Sequence, residues 1–278
     1  MATLTKISPP HSSGVVPRER VFRILDVCMK KPAVWIASPA GSGKTSLVAS
    51  YLLVRNIPCL WYRADSGDGD IAAFFYHMGL AAKKAAPSFR KPLPFLTPEY
   101  HMGIPVFARR YFEELYRRLK PPFVIVLDNY QEIPADSALH EIVNIALSCL
   151  PEGIKTVVIS RNIAPKNFVR LRANNQMDLL GFNEIRLTPE ETRDVARANS
   201  GRGLDDETLS ALYKKTEGWV AGLMLLMESS RDLPADFLPA KTFSPDEVFR
   251  YFASEIFDRM DCKTQEFLLL TSFLPTMT

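Results

Sequence analysis

The chain has 278 residues, of which 47% are hydrophobic and 23% are charged, and its formal net charge at pH 7 is +3. This composition is typical of a globular protein with a sizeable core, and the length predicts about two domains. The small net charge argues against nucleic-acid or membrane binding by this segment. The sequence shows neither a membrane-spanning apolar run nor a signal-peptide pattern, so we expect a cytoplasmic protein without a membrane contact.

The first predicted strand, Ala33–Ser38, runs into a loop of small residues and then into a helix over about 44–54. The loop reads SPAGSGKT and matches the phosphate-binding consensus G-x-x-x-x-G-K-[ST], except that Ser38 replaces the first glycine. Such a loop turns backbone N–H groups and a helix N-terminus toward a triphosphate. The alternative is an ordinary glycine turn. The candidates for nucleotide contact are Pro39, Ala40, Gly41, Ser42, Gly43, Lys44, Thr45 and Ser46.

A repeated strand–helix alternation follows this loop. Short apolar segments without polar alternation predict central strands of a parallel sheet, and amphipathic stretches between them predict helices. The segment from Pro87 to Pro105 contains five prolines, which predicts a surface connection rather than a packed element. The further predicted strands are Cys59–Arg63, Phe123–Asp128, Thr156–Ser160 and Glu184–Leu187.

Beyond Leu187 the pattern predicts helices only. Thr188 and Glu191 form a capping box that opens a helix. Further helices are predicted from Asp206 to Lys215 and through WVAGLMLLMESS. A second capping box begins at Ser244, after the linker DLPADFLPAKTF. We expect three parts: a nucleotide-binding core at 1–187, a small helical domain at 188–240, and a further domain at 241–278 that is cut short in a longer protein.

The third predicted strand, FVIVLD, ends in Asp128, whose carboxylate is placed to hold Mg²⁺ together with the Thr45 hydroxyl. The next residue is Asn129. An acidic residue at this position could act as a base and polarise an attacking water, whereas the asparagine amide cannot. Glu132 is a possible substitute, although a solvated loop carboxylate is the alternative. The fourth strand is followed by Arg161, which we expect at the same sheet edge as a sensor of the γ-phosphate or, alternatively, in a surface ion pair.

The chain resembles the MalT-like, LuxR-type large ATP-binding transcription regulators, a branch of the STAND group of signal-transducing P-loop ATPases. The resemblance covers nearly the whole chain. It is carried, in order, by GVVPRERVFRIL, SPAGSGKTSL, VIVLDNYQEI, VVISRNIAP, LTPEET, KKTEGWVAGLMLL and YFASEIFDRMDCKTQEFLLLTSFLPTMT. It implies an α/β P-loop NTPase core, then a small helical domain, then a winged-helix domain that here is partial.

The resemblance implies a switch, in which ADP holds a closed monomer and ATP with an unidentified inducer permits self-association. It places adenine contacts at Val16, Pro17 and Arg18. The family's G-x-P element, whose proline touches the nucleotide, corresponds to Gly218-Trp219-Val220, so Trp219 is a candidate contact. The resemblance also implies that DNA is bound only through a C-terminal domain absent from this sequence.

Two functions of different class remain open. The first is a regulatory ATP/ADP switch with Mg²⁺ and slow hydrolysis. The second is a P-loop phosphotransferase or working ATPase whose turnover is the output. The helical tail after the core favours the switch. The proline-rich segment is a possible lid for a phosphotransferase, but it offers only Arg90 and Lys91 as cations.

Overall fold

The computed structural model describes residues 5–11, 14–88, 91–97, 100, 103–200, 204–229, 261 and 263–266. The chain divides into an α/β unit, Met1–Pro39 with Gly43–Ile185, and a helical unit, Ala40–Ser42 with Arg186–Thr278. The predicted three-part division stays a prediction. The linker, the second capping box and almost all of the predicted partial winged helix lie outside the described residues.

Strands and helices alternate through the α/β unit. The strands are β1 (Ala33–Ala37), β2 (Cys59–Arg63), β3 (Phe123–Asp128), β4 (Ile154–Ser160) and β5 (Met177–Leu180). The helices are α1 (Glu19–Cys28), α2 (Lys44–Val54), α3 (Ile71–Ala85), α4 (Ile104–Tyr116), α5 (Leu139–Ser148), α6 (Val169–Ala173) and α7 (Phe182–Ile185). The first four predicted strands and the helix after the glycine loop are therefore confirmed, with β4 beginning at Ile154.

All strand pairings are parallel, and the order across the sheet is β2-β3-β4-β1-β5. Ala37 pairs with Ser160, and Arg63 pairs with Asp128. The carboxyl ends of β1 to β4 therefore meet at one edge of the sheet. Because ligands of open parallel sheets bind beyond this edge, it is the place to look for a site.

Each face of the sheet carries its own apolar core, because neighbouring residues of a strand point to opposite faces. Trp35 packs with α3, α4 and α5 on one face, whereas Val34 and Ile36 pack with α1 and α2 on the other. Helix α2 is buried along most of its length. The helix that follows the glycine loop is thus held firmly against the sheet.

The predicted fifth strand was wrong. Residues Phe182–Ile185 form helix α7, and the fifth strand is Met177–Leu180, at the edge of the sheet beside β1. An edge strand has one neighbour, so it tolerates polar residues such as Asp178, which accepts a hydrogen bond from Lys31 Nζ. The apolar residues Ile185 and Leu187, which suggested a strand, are buried in the cores of the α/β unit and the helical unit respectively.

The proline-rich segment differs in part from its prediction. Residues 91–97 have no regular secondary structure, as expected, but Leu93 is buried and belongs to the core on the α3 face. Pro105 lies in the first turn of α4, where a proline costs no hydrogen bond. The described residues 91–97 therefore form a mainly exposed connection, as predicted, that is anchored in the core by Leu93.

The helical unit contains α8 (Pro189–Ser200), α9 (Asp206–Thr216) and α10 (Val220–Ser229). The predicted capping box is confirmed, because Thr188 N donates to Glu191 Oε2 at 3.1 Å and Glu191 N donates to Thr188 Oγ1 at 3.2 Å. Gly218, between α9 and α10, has φ +83°, and a Cβ there would lie 2.3 Å from the Leu187 carbonyl oxygen. The core residues are Leu187, Ala196, Leu209, Leu212, Leu223, Leu226 and Met227.

Within the part of the chain that the structure describes, no helix is long and apolar enough to cross a membrane.

Candidate nucleotide site

The loop of residues 38–45, called the phosphate loop below, follows β1 and leads into α2. Gly41 and Gly43 have φ of +69° and +80°, a left-handed conformation that glycine adopts without steric cost. Ser38 is not among the residues with positive φ, and its N–H continues the sheet pairing by donating to the Ser160 carbonyl at 3.2 Å. The replacement of the first consensus glycine by Ser38 therefore leaves the backbone of the loop unstrained.

Lys44 is the first residue of α2 and is 8% exposed. Its Nζ donates to the Ser38 carbonyl at 2.5 Å and to the Pro39 carbonyl at 2.8 Å. Burial lowers the pKa of Lys44 to about 8; the positive charge of Arg161 adds to this shift and the Asp128 carboxylate opposes it. The structure thus brings three predicted site residues together.

The next residue, Thr45, points its hydroxyl at the end of β3. Its Oγ1 donates to Asp128 Oδ1 at 3.0 Å. Asp128 is 1% exposed, and burial raises its pKa against the opposing effects of the Thr45 hydrogen bond and the Arg63 charge. A hydroxyl beside a carboxylate at the end of the phosphate loop suits Mg²⁺, which takes few protein ligands and completes its shell with phosphate oxygens and water.

Among the described residues, no group of three or more His, Cys, Asp or Glu side chains is placed to hold a metal ion. The oxygens available to a metal ion at the end of the phosphate loop are the Thr45 hydroxyl and the Asp128 carboxylate.

The sequence analysis did not single out Arg63, which ends β2 beside Asp128. In the amide orientation that satisfies its neighbours, Asn129 Oδ1 accepts from Arg63 Nε at 3.0 Å and from Arg63 Nη2 at 3.3 Å. Asn129 itself has φ +57°, a left-handed conformation that asparagine adopts more readily than most residues. The position of Arg63 at the end of a predicted strand was the signal for it, because parallel strands end at one edge.

Arg161 follows β4, as expected from the sequence. Its backbone N–H donates to Gln131 Oε1 at 3.0 Å, which ties it to the short 3-10 helix Tyr130–Glu132 after β3. Glu132 Oε1 accepts from Gln131 Nε2 at 3.2 Å. The structure thus links Arg161 and Glu132 through Gln131, and the catalytic roles of Arg161 and Glu132 stay predictions.

The residues implied for adenine contact, Val16, Pro17 and Arg18, lead into α1. Arg18 is buried and its carbonyl accepts from Phe22 N at 2.9 Å, so it is fixed at the start of the helix. Pro17 is exposed and Val16 is half-buried. Their contact with a nucleotide stays a prediction.

Trp219 lies in the helical unit, which also contains Ala40–Ser42 of the phosphate loop. Its Nε1 donates to the Ala40 carbonyl at 2.8 Å, and Ala221 N donates to the Gly41 carbonyl at 2.8 Å. Its ring lies against Gly222, where a Cβ would be 2.4 Å from a ring carbon. Two backbone carbonyls of the phosphate loop are thus held by residues at the start of α10.

No family model matches the chain. The HTH-type transcriptional regulator MalT of Vibrio parahaemolyticus is 27% identical over 98% of this chain, and that of Klebsiella pneumoniae is 25% identical over 98%. The resemblance to the MalT-like regulators is confirmed. The chain spans only 30% of the Vibrio and 31% of the Klebsiella protein.

Solved structures show the same fold. A Walker-type ATPase of Pyrococcus abyssi matches with a TM-score of 0.57 at 12% identity, over 99% of this chain and 81% of its own. The ORC1 protein of Aeropyrum pernix, solved in complex with DNA, matches with a TM-score of 0.52 at 16% identity, over 96% and 75%. The predicted α/β P-loop NTPase fold with a parallel sheet is therefore confirmed.

Proposed function

We propose that this chain is the ATP- and ADP-binding switch module of a MalT-like transcription regulator. The single observation that carries the proposal is the phosphate loop, in which Lys44 and Thr45 meet Asp128 at the carboxyl edge of a parallel sheet. The similarity to MalT regulators over 98% of the chain supports the regulatory context.

In this proposal the backbone N–H groups of Gly41 to Lys44 and the N-terminus of α2 face the phosphates. Lys44 leaves the Ser38 and Pro39 carbonyls to reach the β- and γ-phosphates, and Thr45 with Asp128 holds Mg²⁺. The metal, when bound, neutralises phosphate charge. Arg161, whose charge already acts on Lys44, reads the γ-phosphate, and Val16–Arg18 contact the base.

Hydrolysis is proposed to be slow because the residue after Asp128 is Asn129. An amide cannot accept a proton from an attacking water as a carboxylate can. Asn129 is in addition engaged with Arg63, which holds its oxygen away from that task. The bound nucleotide then stays on the protein as a long-lived ligand, and the state of the switch depends on whether that nucleotide is ATP or ADP.

The switch is proposed to act through Ala40–Ser42, which belong to the helical unit. The carbonyls of Ala40 and Gly41 accept hydrogen bonds from Trp219 and Ala221. A nucleotide that repositions this backbone changes those bonds, and the helical unit responds. ATP, with an inducer, then favours self-association, whereas ADP favours the monomer.

Nucleotide content, turnover and size test the proposal together. The purified chain is denatured, the released nucleotide is identified by chromatography, and phosphate release is assayed with ATP and Mg²⁺. Retained ADP with turnover well below about 1 per second supports the switch. Brisk turnover from a chain without retained nucleotide would instead support the working-ATPase alternative.

Self-association is measured by light scattering with ADP or with ATP, and Lys44→Ala serves as the control that cannot respond. A mass that rises with ATP only in the parent chain supports nucleotide control. This first series contains no inducer. A second series therefore adds the small-molecule fraction of a cell extract to the chain in the presence of each nucleotide. A mass that is the same with both nucleotides in both series refutes the proposed control.

A further inference from the structure

A cavity of the α/β unit lies between α3 and residues 91–97 of the proline-rich segment, and its volume is about 280 Å³. None of the proposed nucleotide-contact residues lines it. A volume near the lower end of ligand-pocket sizes suits a small molecule rather than a nucleoside triphosphate.

The walls of the cavity are mostly aromatic and aliphatic. Phe75 and Tyr111 are buried with ring centroids 4.7 Å apart, and Leu93 closes the side formed by the proline-rich segment. Tyr76 and Phe95 also line it, yet they are 56% and 67% exposed. Large apolar side chains lining a cavity while remaining open to solvent favour a ligand with an apolar body.

A buried arginine fixes the wall that lacks secondary structure. Arg118 is 8% exposed, and it donates to the Lys91 carbonyl at 2.7 Å and to the Pro92 carbonyl at 3.1 Å. Gly79 lies on the α3 side, where a Cβ would already be 3.4 Å from the Tyr111 hydroxyl. The cavity is therefore built into the fold by specific contacts.

The charged side chains that line the cavity are all cations. Lys83 and Lys91 are exposed, whereas Arg118 is buried and pairs with Glu114 at 3.4 Å, and no Asp or Glu is among the lining residues. In the described part of the chain, neither Lys83 Nζ nor Lys91 Nζ makes a hydrogen bond or ion pair. Two available ammonium groups at an apolar cavity select a ligand with an acidic group.

We propose that this cavity binds a small organic carboxylate with an aromatic or aliphatic body. The body packs against Phe75 and Tyr111, and the carboxylate pairs with Lys83 and Lys91. The site is separate from the phosphate loop, so the proposal does not depend on nucleotide binding.

Two probes with the same naphthalene body, one with a carboxylate and one with a neutral hydroxymethyl group, test the proposal. Binding of 2-naphthoate and of 2-naphthylmethanol to the whole chain is measured by isothermal titration calorimetry. We expect one naphthoate per chain and an affinity about tenfold lower for the neutral alcohol, since it lacks the ion pairs. Equal affinities, or naphthoate that fails to bind at millimolar concentration, overturn the proposal.

Variants locate the binding. The double variant Lys83→Ala with Lys91→Ala removes the two ammonium groups. We expect it to weaken the affinity for naphthoate about tenfold and to leave the affinity for the alcohol unchanged. Lys84→Ala with Lys120→Ala is the matched control, because it removes the same charge from exposed residues that do not line the cavity. A naphthoate affinity reduced equally in both pairs overturns the assignment of the cations.

Ala72 is an exposed lining residue in the first turn of α3, and Ala72→Trp is expected to fill the cavity and abolish binding of both probes. Far-ultraviolet circular dichroism confirms that this variant is folded. Lys44→Ala is expected to bind naphthoate as the parent does. Binding that survives Ala72→Trp, or that disappears in Lys44→Ala, places the probe elsewhere and overturns the proposal.

Discussion

In residues 43–45 of the phosphate loop, the side chains of Lys44 and Thr45 are bound by groups of the α/β unit: the Ser38 and Pro39 carbonyls and Asp128. In residues 40–42 it is the backbone that is bound, and its partners are Trp219 and Ala221 of the helical unit. Residues 43–45 thus carry the cation and the hydroxyl that we propose bind phosphate and metal. The backbone of residues 40 and 41 is hydrogen-bonded to the start of α10.

On the proposed function, this difference predicts that nucleotide affinity and the response of the helical unit can be changed separately. Side-chain changes in residues 43–45 or at Asp128 should alter how tightly nucleotide binds. Changes at the start of α10 should alter the response of the helical unit and leave affinity nearly intact.

Lys44→Ala is expected to have the largest effect. It removes a cation whose charge-assisted hydrogen bonds to phosphate are together worth about 3 kcal/mol, so affinity for ATP should fall more than about hundredfold. Equilibrium binding of a fluorescent ATP analogue measures this. Unchanged affinity would contradict the proposed role of the loop.

Asp128→Asn should weaken binding about thirtyfold, or about 2 kcal/mol, and only when Mg²⁺ is present. The asparagine keeps an oxygen that accepts the Thr45 hydrogen bond, so the fold is preserved while the charge is lost. Calorimetry with Mg²⁺ and with a chelator separates the two conditions. An equal loss under both conditions would show that Asp128 supports the loop rather than the metal.

A pH series should show an effect of about tenfold. Because burial holds the pKa of Lys44 near 8, its charged form dominates at pH 7 and its neutral form at pH 9. Only the charged form pairs with phosphate, so affinity for ATP should fall as the pH rises through 8. The decline should be absent from Lys44→Ala, and its persistence there would assign it to another group.

Asn129→Asp should raise ATP hydrolysis several-fold, since it supplies the missing base. The gain should be larger when Arg63→Gln is combined with it, because Arg63 otherwise pairs with the new carboxylate. Steady-state phosphate release measures both variants. If neither variant is faster than the parent, Glu132 or a partner protein must supply the base.

Trp219→Phe should have the smallest effect on affinity, within about fivefold, because it removes one hydrogen bond of about 1 kcal/mol and keeps a ring against Gly222. It should nevertheless reduce the difference in mass that light scattering records between ADP and ATP. Trp61→Phe, a tryptophan on β2 in the α/β core, is the matched control. A loss of ATP affinity as large as that expected for Lys44→Ala would show that residues 40–42 and residues 43–45 cannot be altered separately, which contradicts the prediction.

Much of this site was predictable from local pattern. The phosphate loop, Asp128 and Arg161 each follow a short apolar strand, and the parallel arrangement brings such positions to one edge. Arg63 obeys the same rule at the end of β2, but no sequence motif marks it. Its pairing with Asn129 depends on which strands are neighbours, and strand order is a property of the whole sheet.

The errors in the fold have a related cause. Glu184–Leu187 has the apolar spacing of a strand, yet its apolar side chains serve two different cores. Met177–Leu180 is less apolar because an edge strand is covered less completely. The burial of Leu93 was hidden by the surrounding prolines, since proline content predicts the absence of regular structure and says little about packing.

Gly218 touches the Leu187 backbone so closely that the chain has no space there for even a methyl group. Position 218 therefore tolerates only glycine, because any side chain would clash with the Leu187 backbone. A randomised library selected only for folding should return glycine at this codon, whichever nucleotide is supplied. The contribution of this residue to the fold is made by the backbone alone, since the Gly218 carbonyl accepts a hydrogen bond from Leu187 N at 2.9 Å.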